Sequence, residues 1–164
     1  MRSSVIKEDV DKAGARGLLW ANGLKEADFK KPFIGVASAY SDIVPGHLNL
    51  RKLTEFVKKG IRDAGGIPFE FGMPGICDGI AMGHQGMRYS LPSRDIIADS
   101  VEMMVSSHLF DGWVGVTNCD KITPGMLMAA GRGNTPAIIF TGGPMGTGEY
   151  KGRRLDLISI FEAI

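Results

Sequence analysis

Thr117-Asn118-Cys119-Asp120-Lys121-Ile122-Thr123-Pro124-Gly125 decides how the rest of the chain is read. The run before it, Trp113-Val114-Gly115-Val116, has the composition of a buried strand, and the pattern after it, Met126-Leu127-Met128-Ala129-Ala130, is helical. Between them a thiol, a carboxylate and an amine occupy consecutive positions. Three adjacent side chains cannot all face one way on a regular strand, whereas a loop can splay them around one point. A strand end feeding a helix start is also where open α/β sheets place ligands. A surface turn with incidental polar residues is the plain alternative, and local sequence leaves both readings open.

Outward from that stretch the same alternation recurs. Upstream, Ile96, Ile97, Ser100, Val101, Met104 and Val105 predict a mostly buried helix over 94–107, with Ser93 as its N-cap and Arg94, Asp95 and Asp99 on its exposed side. Ile67-Pro68-Phe69-Glu70-Phe71 reads as a strand whose proline places it at a sheet edge or a strand start. Leu50, Leu53, Phe56, Val57 and Ile61 form the apolar stripe of a helix over roughly 49–64, closed by Gly65-Gly66. Phe33-Ile34-Gly35-Val36-Ala37 is a short buried strand, followed by a turn at Pro45-Gly46-His47. A first helix runs from Asp11 to Leu19, with Gly23 as its stop.

Downstream, Thr123 is a candidate cap and Pro124 suits a first helical turn, while Gly131-Arg132-Gly133-Asn134 ends that helix. Pro136 to Phe140 gives another strand, and residues 156–164 look like the opening of a helix with no capping residue behind it. Short strands alternating with amphipathic helices predict a three-layer α/β/α domain over residues 1–164, with a mostly parallel central sheet.

The 164 residues suffice for one domain with a real core, and 44% hydrophobic against 23% charged residues favours a folded, soluble chain. A formal net charge of +1 leaves no electrostatic footprint for nucleic acid. No apolar run reaches bilayer length and residues 1–10 lack a secretory segment, so a cytoplasmic setting is expected. Two cysteines, Cys77 and Cys119, are too few for a disulfide scaffold.

Cys77-Asp78 and Cys119-Asp120 repeat one pair in two loops that should rise from the same edge of the sheet. Carboxylates favour hard cations such as Mg²⁺, and thiolates favour iron–sulfur or zinc. Two thiolates alone do not complete an iron–sulfur site, and the CxxC spacing of structural zinc is absent. Gly72 to Ser90 is long, glycine-rich and poorly periodic, which in a compact domain points to a working loop. Gly142, Gly143, Gly146 and Gly148 could surround an anion with backbone N–H groups, although a tight turn explains them as well and no nucleotide P-loop follows.

Several strings carry a specific resemblance. Gly79-Ile80-Ala81-Met82-Gly83-His84, Tyr89-Ser90-Leu91-Pro92-Ser93-Arg94, Ile97-Ala98-Asp99-Ser100, Asn118 to Met128 and Gly142-Gly143-Pro144-Met145 resemble the dihydroxy-acid and phosphogluconate dehydratase family. Members are much longer, so the chain looks like an N-terminal portion whose C-terminal domain is missing. The resemblance implies that Cys119 ligates a catalytic iron–sulfur cluster, of two-iron or four-iron type. It implies that Asp78 and Asp120 ligate Mg²⁺, and that Lys121 becomes carbamylated and joins them. It places a further cluster cysteine, a glutamate ligand and a catalytic serine beyond Ile164, and in some members another cluster cysteine at the position of Gly46. It implies a hydro-lyase acting on a 2,3-dihydroxy acid in branched-chain amino acid synthesis. An apolar face that the missing domain or a partner subunit would cover is also expected, and with it a homodimer. A sugar-acid dehydratase and a purely structural α/β module without metal are the alternatives.

Overall fold

The computed structural model describes residues 1–163. The helices are α1 Ser4–Glu8, α2 Ala13–Ala21, α3 Leu50–Asp63, α4 Asp78–Ala81, α5 Ser93–Ser107, α6 Ile122–Gly133 and α7 Leu157–Phe161. The strands are β1 Phe33–Ser38, β2 Ile67–Gly72, β3 Gly112–Thr117, β4 Ala137–Thr141, β5 Gly148–Tyr150 and β6 Arg153–Leu155.

Four strands form one sheet in the order β2-β1-β3-β4, and every pair in it is parallel. Register fixes the faces: Val36 is level with Glu70 on one side and Val114 on the other, and Val114 with Ile138. From β1 the chain steps outward to β2, then returns across β1 to β3 and on to β4. Right-handed crossovers in opposite directions put their helices on opposite faces. Thus α3 lies on one face, where the Thr54 and Ser38 hydroxyls meet at 3.0 Å, while α5 and α6 pack together on the other. The result is the three-layer α/β/α domain with a parallel sheet that the alternation predicts. Val36, Val116, Leu50, Ile97, Ile122 and Met126 fill the two interlayer spaces with no exposed surface.

The base of the sheet is fastened by Asp111. Its carboxylate accepts from the backbone N–H of Ser3 at 3.0 Å, the Ser3 hydroxyl at 2.5 Å and the Phe33 N–H at 2.8 Å. The buried Lys7 ammonium lies 3.8 Å from it, donates to the Lys31 carbonyl at 2.5 Å and sits 3.9 Å above the Phe33 ring. These contacts hold the N-terminal segment across the ends of β1 and β3.

Both outer strands are edges. Pro68 lies in β2, one of them, as a proline in a strand requires. On β4, the other, α3 does not reach Ile138 and Phe140, which stay 66% and 40% exposed.

Several local expectations need correction. Pro92, not Ser93, precedes α5; the Ser93 hydroxyl bonds back to the Ser90 carbonyl at 2.6 Å. Helix α6 begins at Ile122, so Thr123 is inside it, and its hydroxyl meets that of Thr117 at 3.3 Å. Phe56 and Ile96 face outward at 61% and 57% exposure, each turned well away from the buried face of its helix. The stretch 72–90 is not all loop, since it contains α4 and a tight helical turn at Gln85–Tyr89. Residues 148–155 form a β5–β6 hairpin turned at Lys151 and Gly152, both left-handed with φ of 49° and 73°. The C-terminal helix spans Leu157–Phe161 behind an Asp156 cap, and Ile164 lies outside the described residues. Among those residues no helix is long and apolar enough to cross a membrane.

Candidate metal centre

A parallel sheet delivers all its strand ends to one edge, and here four loops meet there: 39–49 after β1, 73–77 after β2, 118–121 after β3 and 142–147 after β4. The chain reverses its direction of travel between β1 and β3, which is the crevice where open sheets bind ligands. Asn118 closes one side of it. Its amide donates to the Gly46 carbonyl at 2.9 Å and to the Gly143 carbonyl at 2.7 Å, joining three loops. The 142–147 loop is thereby tied down through its carbonyl groups, and the Gly142 N–H is already given to the Thr117 carbonyl at 3.0 Å. It forms a turn of the site's wall.

Cys119 follows in a left-handed conformation, with φ 65°. Such a backbone is uncommon for a residue carrying a side chain, and isolated outliers of this kind gather at working sites. Its thiol is half-buried and faces Gly46, where an added Cβ would stand 3.5 Å from the sulfur. The Cys77 loop approaches from β2. Burial first, then the charges of Cys77, Asp120 and Asp78, push the Cys119 thiol above its ordinary pKa. Both cysteines are free.

Asp78, Asp120 and Lys121 meet beside them. The Lys121 ammonium donates to Asp78 Oδ2 at 2.6 Å and to Asp120 Oδ2 at 2.5 Å. The Asp78–Lys121 contact spans 43 residues of sequence and joins the β2 and β3 loops. Ser90 donates its hydroxyl to the other oxygen of Asp78. Burial pushes the Asp78 carboxyl up, but the bonds from Lys121 and Ser90 outweigh it and hold the group below the usual carboxylate range. The bonds to Asp120 and then Asp78 raise Lys121, so it is a firm cation here.

The donor set suits a divalent ion in kind. Two hard oxygen donors from separate loops already converge on one positive charge, and they are the residues that sequence singled out. Among the described residues no group of three or more His, Cys, Asp or Glu is placed to hold a metal, so the set is partial. The two thiols at the same corner likewise suit iron in type but not in number.

Three residues of the site carried no assigned role in the sequence reading. Asn118 and Ser90 lie inside the family-like strings, where only their neighbours stood out. His47 is wholly buried; its Nδ1 bonds the Ala39 carbonyl at 2.5 Å, which leaves Nε2 without a partner among the described residues. It backs Gly75, whose added Cβ would touch the ring at 3.4 Å, and so wedges the 45–47 turn against the Cys77 loop. The Pro-Gly-His turn was visible, but nothing in a turn signal reveals that its last side chain points inward.

The family model for the dihydroxy-acid/6-phosphogluconate dehydratase N-terminal domain matches residues 31–164. The dihydroxy-acid dehydratase of Thermodesulfovibrio yellowstonii is 58% identical over 165 aligned residues, covering all of this chain and 30% of that protein. Those of Methanobrevibacter smithii and Methanosarcina barkeri are 57% and 56% identical over 164 residues, again 100% of this chain and 30% of each relative. The chain thus spans about 30% of the length of the curated relatives it matches. The span matched by the family model takes in every element that shapes the crevice, from β1 to the β4 loop, and the chain belongs to the dihydroxy-acid/6-phosphogluconate dehydratase family, as its N-terminal domain.

Proposed function

We propose that this chain supplies the N-terminal half of the active site of a longer hydro-lyase, one that removes water from 2,3-dihydroxy-3-methyl acids to give 2-keto acids in branched-chain amino acid synthesis. The carrying observation is the Lys121 ammonium held between the Asp78 and Asp120 carboxylates, on a crevice edge that also presents Cys119. Family membership and relatives named dihydroxy-acid dehydratase support the reaction class.

Asp78, Asp120 and Lys121 would hold Mg²⁺, with Lys121 first converted to a carbamate, since a protonated amine is no ligand. Cys119 would hold an iron–sulfur cluster together with thiols from the rest of the parent chain. When bound, the cluster's iron supplies a Lewis acid for the departing C3 hydroxyl, and Mg²⁺ supplies charge for the substrate carboxylate.

The chain's own contribution is placement. Ser90 takes up one oxygen of Asp78 and thereby aims the other into the crevice. Asn118 fixes the 46 and 143 loops on either side of Cys119. The proton on C2 is left to a base outside these residues, so the chain alone should not turn over substrate.

The test uses the full-length parent, purified without oxygen. Its kcat/KM is compared for 2,3-dihydroxy-3-methylbutanoate and 6-phosphogluconate, and iron and sulfide are assayed in Cys119→Ser and Cys77→Ser. Preference for the branched acid, and loss of the cluster in Cys119→Ser with retention in Cys77→Ser, are expected. A strong preference for 6-phosphogluconate, or an intact cluster in Cys119→Ser, would overturn the corresponding part.

A further inference from the structure

The two faces of the sheet are unequally covered. On one, α5 and α6 lie side by side; on the other, α3 stands alone. Strands are spaced about 4.8 Å apart and a helix with its side chains is about 10–12 Å across, so one helix covers about two strands and four strands need two helices.

Burial follows that geometry strand by strand. Gly115 faces α6, since a Cβ there would meet Met126 Sδ at 2.7 Å and Ile139 Cδ1 at 3.0 Å. Ile139 is level with Gly115, so its neighbours Ile138 and Phe140 point to the face that α3 occupies. In the row Val36–Val114–Ile138 the first side chain is buried, the second half-buried and the third exposed. In the row Ser38–Val116–Phe140 the first two are buried and Phe140 is exposed. On one flank of α3, Lys58 reaches Glu70 of β2 at 2.8 Å. The opposite flank looks toward β4: Leu53 Cδ1 would stand 3.6 Å from a Cβ on Gly142, just past the end of β4. Phe56, one turn on from Leu53, is exposed at the rim. Ile138, Phe140 and Val114 thus floor an apolar trough about one helix wide, and β4 carries no charge. A contiguous apolar surface of this kind marks a contact site.

We infer that a helix from the part of the parent chain beyond residue 164 lies in this trough, with an apolar stripe turned to Ile138 and Phe140, and completes the layer that α3 begins. The relatives supply the length, because this chain is only 30% of each. A second copy fits less well. In a two-fold contact the trough would face its own equivalent, and two concave surfaces leave the space between them unfilled. Were the exposed Ile96 and Met103 of another copy's α5 to enter, the contact would be heterologous, and each trough filled would leave another open unless a ring closed. The inference rests on the relatives' length and goes beyond the dehydratase reading.

The experiment uses the full-length parent carrying Phe140→p-benzoylphenylalanine, irradiated under native conditions, separated on a denaturing gel and mapped by mass spectrometry. Expected is a cross-link within one chain, running at the single-chain mass and joined to a peptide beyond residue 164. A band of twice that mass would put a second copy in the trough. Cross-links confined to residues 1–164, or none, would leave it uncovered by the rest of the parent. Either result overturns the inference. The substituted side chain is part of the surface under test, so Phe140 of the unaltered parent is also followed by hydroxyl-radical oxidation through a dilution series. Oxidation several-fold slower than in urea, and constant on dilution, is expected. Equal rates, or protection that fades on dilution, overturn the inference even where the substituted parent fails to fold. Neither measurement reads metal or turnover, so the dehydratase reading stands or falls separately.

Discussion

At the scale of single residues, Cys119 combines two properties that seldom coincide. It is a thiol at the mouth of the crevice, and its backbone is left-handed at φ 65°. For a residue with a Cβ that conformation costs about 1–2 kcal/mol, and glycine avoids the cost. Cys119→Gly is therefore expected to raise the metal-free chain's unfolding free energy by about 1 kcal/mol in urea titrations while removing the thiol proposed to hold a cluster. Cys119→Ala should give no such gain. Equal stabilities for the two variants would show that the strain is not local to this backbone. The thiol, Asp120 and Lys121 were legible in sequence because they stand in one unbroken string. That Asp78 is the second arm of the same ammonium was a matter of shared edge, and only the fold supplies the 2.6 Å contact.

At the scale of elements, the close seat of α6 on α5 depends on Gly125. A Cβ there would stand 3.0 Å from the Arg94 carbonyl oxygen and equally close to Ile97 Cβ. Neither can swing aside as a flexible side-chain tip would, so the helices themselves must separate. Gly125→Ala should destabilise by about 1–3 kcal/mol, the range for overpacking, read from the shift in denaturation midpoint. Since Ile122 begins α6 directly after Lys121, the displacement should also loosen the Lys121–Asp78 contact. Strand and helix identities were readable because apolar spacing reports them. Helix starts were not: Ser93 and Thr123 have capping chemistry, yet their hydroxyls go to the Ser90 carbonyl and the Thr117 hydroxyl. Capping residues mark the neighbourhood of a helix end, and tertiary contacts choose the residue. The β5–β6 hairpin escaped because its Lys151-Gly152 turn lacks the usual asparagine or aspartate.

At the scale of the whole molecule, Asp111 and its donors join the N-terminal segment to the sheet. Burial pushes this carboxyl up, but the Ser3 and Phe33 bonds, with a smaller part from Lys7, outweigh it and hold it below the usual range. The stability it gives is thus fully present above the unfolded-state value of about 3.9 and is lost as pH falls through the depressed folded value. Asp111→Asn should cost about 2–3 kcal/mol at pH 7 and flatten the decline in unfolding free energy below pH 4, measured by urea titration at stepped pH. Lys7 behaves in the opposite sense. Its burial lowers its pKa despite Asp111 nearby, so the buried ammonium opposes folding at neutral pH. Lys7→Met is expected to stay within about 1 kcal/mol of the unaltered chain. A large loss there would assign the fastening to the ion pair instead of the hydrogen bonds. None of this was legible beforehand, because Ser3 and Asp111 stand 108 positions apart and no periodicity links them.

The open border at β4 has a practical side. A strand with unpaired backbone groups, flanked by uncovered Ile138 and Phe140, is a template for self-assembly in the manner of fibril seeds. No proline interrupts β4 and no charged residue stands in it to act as a gatekeeper. Handled apart from any covering surface, the chain is therefore colloidally fragile at the one margin farthest from β2, whatever the integrity of its core.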